Sequence, residues 1–145
     1  MNQDRHAAYE FADEMFEASA MAPLQARKAF PLVRHNYPDL TIDQWMAFTR
    51  QRARMSPRRA GIVAVQDRRG YVHAIICYCV DRHLRRSATL RVTDVVVGRL
   101  PGKIIDLAIV RSAERLATEM GCRSLVFDHA QYGLENIDPA RYNAP

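Results

Sequence analysis

Lysine is nearly missing from this sequence. Only Lys28 and Lys103 are present, and every other cationic side chain is arginine. The net charge is +5, carried by guanidinium groups that suit phosphate and carboxylate partners. The arginines are not interleaved with a recognisable nucleic-acid motif, so nucleic acid is not an expected partner. Cysteine is scarce too. Cys77, Cys79 and Cys122 make an odd count with no Cys-x-x-Cys pair, which argues for buried thiols in a reducing compartment rather than a disulfide framework. The histidines at 6, 35, 73, 83 and 129 lack ligand spacing, and no metal is expected. No apolar run reaches the roughly 20 residues of a membrane span. The first residues, Met1 to His6, are polar and lack a signal-like hydrophobic core, so the expected location is the cytoplasm. There is no internal repeat and no low-complexity segment.

What remains is a globular composition: 145 residues, 48% hydrophobic and 26% charged. That is enough for one domain over 1–145, with 1–13 as a polar helix or flexible arm and 128–145 as a short tail. The stretch from Thr89 to Phe127 organises the rest. Thr89 to Val97 is β-branched and alternating, hence a strand. Gly98, Pro101 and Gly102 interrupt it. Ile105, Ala108, Ile109, Ser112, Ala113, Leu116, Ala117 and Met120 then recur at helical spacing, and Gly121 is a left-handed stop. Ser124 to Phe127 is a second short strand. Strand, loop, helix and strand together have the length of a right-handed crossover. The loop offers backbone N–H groups and a positive helix end, which is an anion site.

Upstream, Met15 to Ala20 reads as a weak first strand. Pro23 opens a helix over Leu24 to Phe30, which could extend to His35. Thr41 is an N-cap, with Gln44 completing a capping box. Trp45, Phe48 and Ala53 should lie on the buried side of that second helix. Ala60 to Gln66 is a strand and Asp67 to Gly70 a hairpin turn. Tyr71 to Val80 is a long apolar strand with both faces covered. The expected fold class is α+β: a mixed, mainly antiparallel sheet with helices on both faces.

This order of elements resembles the GNAT superfamily of N-acetyltransferases. The residues that carry the resemblance are Ala60 to Gln66, Ala74 to Val80, Asp94 to Val97, Ala113 to Ala117, and Gly121 to Phe127. Pro38 to Trp45 also looks like the second helix of such proteins. The resemblance covers roughly residues 15 to 132. It implies acetyl-CoA, or another acyl-CoA, lying between two splayed parallel strands. Val95, Val96 and Val97 would pair with the pantetheine. Arg99, Gly102, Lys103 and Ile104 would surround the pyrophosphate. The acceptor would be a small-molecule or protein amine. Against the family's loop pattern, Pro101 stands at the basic position, Ile104 at the first glycine and Asp106 at the second small residue. Side chains there would crowd a phosphate against the backbone. The family also adds a helix and two strands after the position of Phe127. The expectation is therefore a C-terminally truncated sheet, or one completed by a second copy in a homodimer.

Two residues are candidates for the chemistry. Regular alternation puts Leu90, Val92, Asp94 and Val96 on one face, so Asp94 interrupts an apolar row and could serve as a base. The other reading is a structural carboxylate, bonded to a neighbouring arginine or backbone N–H. Tyr132 could match the family tyrosine that protonates the departing thiolate, or be an ordinary packed tyrosine. Asp128 and His129 are second-line candidates. Tyr78 reads as core or pocket lining, and His73 as a satisfied side chain. The alternative to catalysis is a GNAT-like module that has lost its cofactor and serves in binding, regulation or assembly.

Overall fold

The computed structural model describes residues 2–84, 87–98 and 104–128. The elements run α1 (Asn2–Met15), β1 (Phe16–Ala20), α2 (Pro23–Lys28), α3 (Phe30–Asn36), α4 (Ile42–Ala53), β2 (Ala60–Asp67), β3 (Val72–Arg82), β4 (Ala88–Val97), α5 (Ile104–Glu119) and β5 (Ser124–Phe127). The strands form one five-stranded sheet in the order β1-β2-β3-β4-β5. The first four are antiparallel, and β5 joins β4 in parallel. That is the α+β class expected from the residues. The part of the expectation concerning truncation after Phe127 lies outside the described residues.

Helices cover both faces. On one side α5 sinks Ile105, Ala108, Ile109, Ala113 and Ala117 against Ile76, Leu90, Val92, Val95 and Val97. Helix α1 lies over α5 and buries Ala12 there, while Asp13 binds Arg115 at 2.6 Å. On the other side α2, α3 and α4 pack Ala26, Phe30, Val33 and Trp45 against Ile62, Ile75, Cys77 and Val96. The successive residues of β3 alternate between these two cores, which is why the strand is apolar throughout.

Local rules explain most boundaries. Thr41 Oγ1 accepts from the Gln44 N–H at 3.1 Å, and Gln44 Oε1 accepts from the Thr41 N–H at 2.9 Å. Gly121 takes φ +69, a left-handed stop that lets the Cys122 N–H reach back to Ala117 O at 2.8 Å. The helix read from Leu24 towards His35 is instead two short helices meeting at Ala29. Pro31 lacks the N–H that a continuous ladder needs, so α3 begins anew with proline in its first turn. In α4 the buried positions are Trp45 and Thr49, whereas Ala53 is exposed.

Candidate functional site

The irregular part of the sheet is the middle of β4. Cys77 pairs with Asp94, but Tyr78 pairs with Val92, so Thr93 is an extra residue, a β-bulge. The bulge reverses the alternation beyond it. Leu90 and Val92 face α5, and so do Val95 and Val97. Asp94 and Val96 face the α2–α4 side. The uninterrupted row Leu90, Val92, Asp94, Val96 is therefore not present. Asp94 stands on the opposite face from Leu90 and Val92, beside Cys77.

The described part of its parallel neighbour ends where β4 bulges. Among the described residues, β5 registers with β4 only from Thr89↔Ser124 to Val92↔Phe127, followed by one bond from the Asp128 N–H to Val92 O at 2.9 Å. The Gly98 N–H turns to His73 O on β3, at 3.1 Å. By strand alternation the peptide groups of Val97 and Val95 point the other way, into the gap beyond β5. The gap is thus edged by backbone donors and acceptors of a strand whose side chains are buried.

The C-terminal end of α3 docks onto this edge. Asn36 Nδ2 donates to Leu32 O at 2.9 Å within its own helix and to Val97 O at 3.2 Å. Tyr37 Oη donates to Asp94 Oδ1 at 3.2 Å. Neither Asn36 nor Tyr37 is among the residues that the sequence picks out; the local signal is the turn-forming composition of Asn36-Tyr37-Pro38-Asp39. Beneath Asp94, burial and then the Asp94 charge push the Cys77 thiol up to about 12, with Arg52 opposing. Cys77 is accordingly inert rather than nucleophilic.

At the helix end of the gap, Ile104 begins α5 and packs its side chain onto the α5-side core. The residue stays partly exposed. Asp106 lies in the first turn of α5, where a carboxylate favours the positive helix end. Of the residues picked from the sequence, Asp94, Val95, Val96, Val97 and Ile104 border this gap or its helix. Val96 turns its peptide groups to β3 instead. Arg99, Gly102, Lys103 and Tyr132 lie outside the described residues, as does His129.

The remaining candidates are held elsewhere. His73 Nε2 is 2.7 Å from Asp67 Oδ2, and its ring meets Phe16 edge-on at 5.5 Å. Asp128 pairs with Arg91, which also contacts Asp81 and donates to Cys79 Sγ at 3.4 Å. Among the described residues, no group of three or more His, Cys, Asp or Glu side chains could hold a metal ion, and no helix is long and apolar enough to cross a membrane.

No protein-family model matches the chain, and no curated protein does. Solved structures do. Glucosamine-6-phosphate N-acetyltransferase from Arabidopsis thaliana superposes with a TM-score of 0.63 at 17% identity, over 81% of this chain and 84% of that one. The aminoglycoside N-acetyltransferase AAC(6')-Iy in complex with CoA gives 0.61 at 15%, over 80% and 78%. A GNAT family acetyltransferase from Staphylococcus aureus subsp. aureus USA300_TCH1516 gives 0.64 at 7%, over 79% and 87%. At such identities the likeness is one of fold, and the chain has the fold of the GNAT N-acetyltransferases.

Proposed function

We propose that the protein is an N-acyltransferase that moves the acyl group of acetyl-CoA, or of a related acyl-CoA, to a small-molecule or protein amine. The observation that carries this reading is the gap at the Thr93 bulge, edged by Val95 and Val97 peptide groups with Asp94 at its inner end. A pantetheine arm is a chain of amides, and such a strand edge can pair with it as another strand would. Ile104 packs in part on the α5-side core, which supports room for an acyl-CoA at the helix end. The CoA complex of AAC(6')-Iy, with the same fold, supports the same donor.

In this reading the outward peptide groups of Val95 and Val97 hold the pantetheine, with Val96 between them bonded to β3. Arg99, Gly102, Lys103 and Ile104 hold the pyrophosphate. Acyl-CoA supplies the thioester carbonyl, whose bond to sulfur breaks as the bond to the amine nitrogen forms. Asp94 takes the amine proton, directly or through a water, and Tyr37 fixes its orientation. Tyr132 returns a proton to the departing sulfur. The proposal further takes the protein to be a cytoplasmic homodimer, which cell fractionation and light scattering test. Calorimetric titration with acetyl-CoA, with free CoA as control, tests the core of it. Saturable binding in the micromolar range is expected, and none up to millimolar ligand would overturn it.

A second reading has a specific observation behind it. Asn36 already occupies Val97 O, one of the acceptors a pantetheine would use, and Asp106 puts a negative charge where a diphosphate would sit. A GNAT-fold module that has dropped the donor and kept a binding or assembly role is consistent with both. It predicts no acyl-CoA affinity together with a stable oligomer or complex.

A further inference from the structure

β1 stops pairing with β2 at Ala20↔Val63, with one last bond from the Met21 N–H to Ile62 O at 2.9 Å. β2 continues past that point to Gly61 and Ala60. A cavity of about 430 Å³ opens at this bare edge, between the C-terminal halves of α4 and α5. That volume lies within the range of small-molecule sites. Glycine makes the floor possible. A methyl group at Gly61 would stand 2.7 Å from Tyr78 Oη, which lies across it and donates to Pro57 O at 2.8 Å.

The walls are chiefly apolar, with Met21, Met55, Leu116 and Met120 among them. Methionines let such a wall adapt to an apolar body. The charged groups are unequal. Arg115 is neutralised by Asp13 at 2.6 Å, and Glu119 is an exposed carboxylate on the α5 side of the cavity. Arg52, on the α4 wall, pairs with no carboxylate among the described residues. Its guanidinium lies over the Phe48 ring, 5.1 Å from the centroid. A half-buried arginine without an acid, facing an apolar cavity, matches one carboxylate through its forked donors. Glu119 on the opposite wall disfavours a second negative charge.

This cavity is not the gap at β4. No residue of β4 lines it, and its Ile62 stands two strand spacings, about 10 Å, from Asp94 along the row Ile62, Cys77, Asp94. We infer that the cavity is a second binding site, for an amphipathic monoanion: a medium-chain aliphatic or aryl carboxylate held by Arg52.

Amide-resolved NMR titration of the full chain tests this, with octanoate, octylamine and inorganic phosphate as probes. Octanoate is expected to shift Arg52, Gly61 and Leu116 saturably, while octylamine leaves them in place and phosphate moves them only weakly. Arg52→Gln should weaken octanoate about tenfold. Leu116→Trp, which fills the cavity, should abolish binding in a protein whose spectrum stays dispersed. Four results would overturn the inference: no saturable shift, shifts centred on Val95 to Val97 instead, unchanged affinity in Arg52→Gln, or retained binding in Leu116→Trp. The readout does not depend on acyl-CoA. The β4 proposal therefore stands or falls separately, by the acetyl-CoA isotherm of the unsubstituted protein.

Discussion

Replacing Asn36 by alanine is expected to weaken the fold and strengthen the hold on the acyl donor. The side chain bridges Leu32 O at 2.9 Å and Val97 O at 3.2 Å, so it ties the end of α3 to the end of β4. A net hydrogen bond contributes roughly 0.5–1.5 kcal/mol, and the longer bond to Val97 belongs in the lower half of that range. Loss of both is expected to cost about 1–2 kcal/mol of stability. That is a drop of roughly 3–6 °C in Tm for a chain of this size. The same change leaves Val97 O open to a pantetheine amide that must otherwise displace Asn36. Removing a competitor worth about 0.5–1 kcal/mol should tighten acetyl-CoA binding roughly two- to fivefold. Urea unfolding measures the first effect, with the slope unchanged if only stability moves. Calorimetry measures the second. Opposite signs in one variant are the signature of a shared carbonyl. If stability falls while affinity is unchanged or falls too, Val97 O is not a donor contact and the competition argument fails.

Asp94→Asn is expected to lower thiol release from acetyl-CoA, in the presence of an accepted amine, by about a hundredfold or more. Tyr37→Phe is expected to lower it tenfold or less without moving Tm by more than a degree or two, roughly. Equal rates in all three proteins would remove Asp94 as the base. In the native state a thiol reagent should label Cys79 alone, because burial raises both Cys77 and Cys122. Counting labelled sites by mass spectrometry with and without denaturant checks this. The His73 hydrogen bond, more than any other influence, holds the Asp67 carboxyl below its usual range. A depressed carboxylate stabilises above its unfolded value and loses that contribution as pH falls through the folded one. Tm should therefore fall more steeply on acidification below about pH 4 in the native protein than in Asp67→Asn. Trp45→Phe removes the indole donor to Ala26 O at 2.8 Å, in a side chain only 3% exposed. A loss of about 1–3 kcal/mol in urea unfolding is expected.

What the sequence makes legible is what local rules govern. The Thr41–Gln44 box, the Gly121 stop and the buried stripe of α5 each depend on residues within a few positions of one another, and each appears in the structure. The Asp67 to Gly70 turn likewise appears between β2 and β3. Long-range contacts leave no such trace. That α1 lies on α5 follows from Ala12 fitting its surface and from Asp13 meeting Arg111 and Arg115, a hundred residues away. The split of α2 from α3 was signalled by Pro31, but the chain bends at Ala29, whose residue type says nothing of it. The buried face of α4 differs from the expected one at Ala53, which lines the open cavity beside β2, so that Thr49 is the last fully buried residue of the helix.

The site itself turns on one residue that counting in twos cannot see. With Thr93 in a regular strand, Asp94 would sit in the α5-side core among Leu90 and Val92, unpaired and costly to ionise. The bulge turns it to the face where α3 ends, and there Tyr37 meets it. It also lies where the described part of β5 ends, so the reoriented carboxylate and the gap meet at one place. The end of α3 then has two opposed effects on that gap. Tyr37 furnishes Asp94 with a hydrogen-bond donor, and the adjacent Asn36 covers the Val97 carbonyl that an acyl donor would need. A transferase requires that the second contact yield to the ligand while the first persists. A module without chemistry has no use for the first and is served by the second. The two functions therefore part at a single hydrogen bond between Asn36 and Val97, on a backbone that suits either.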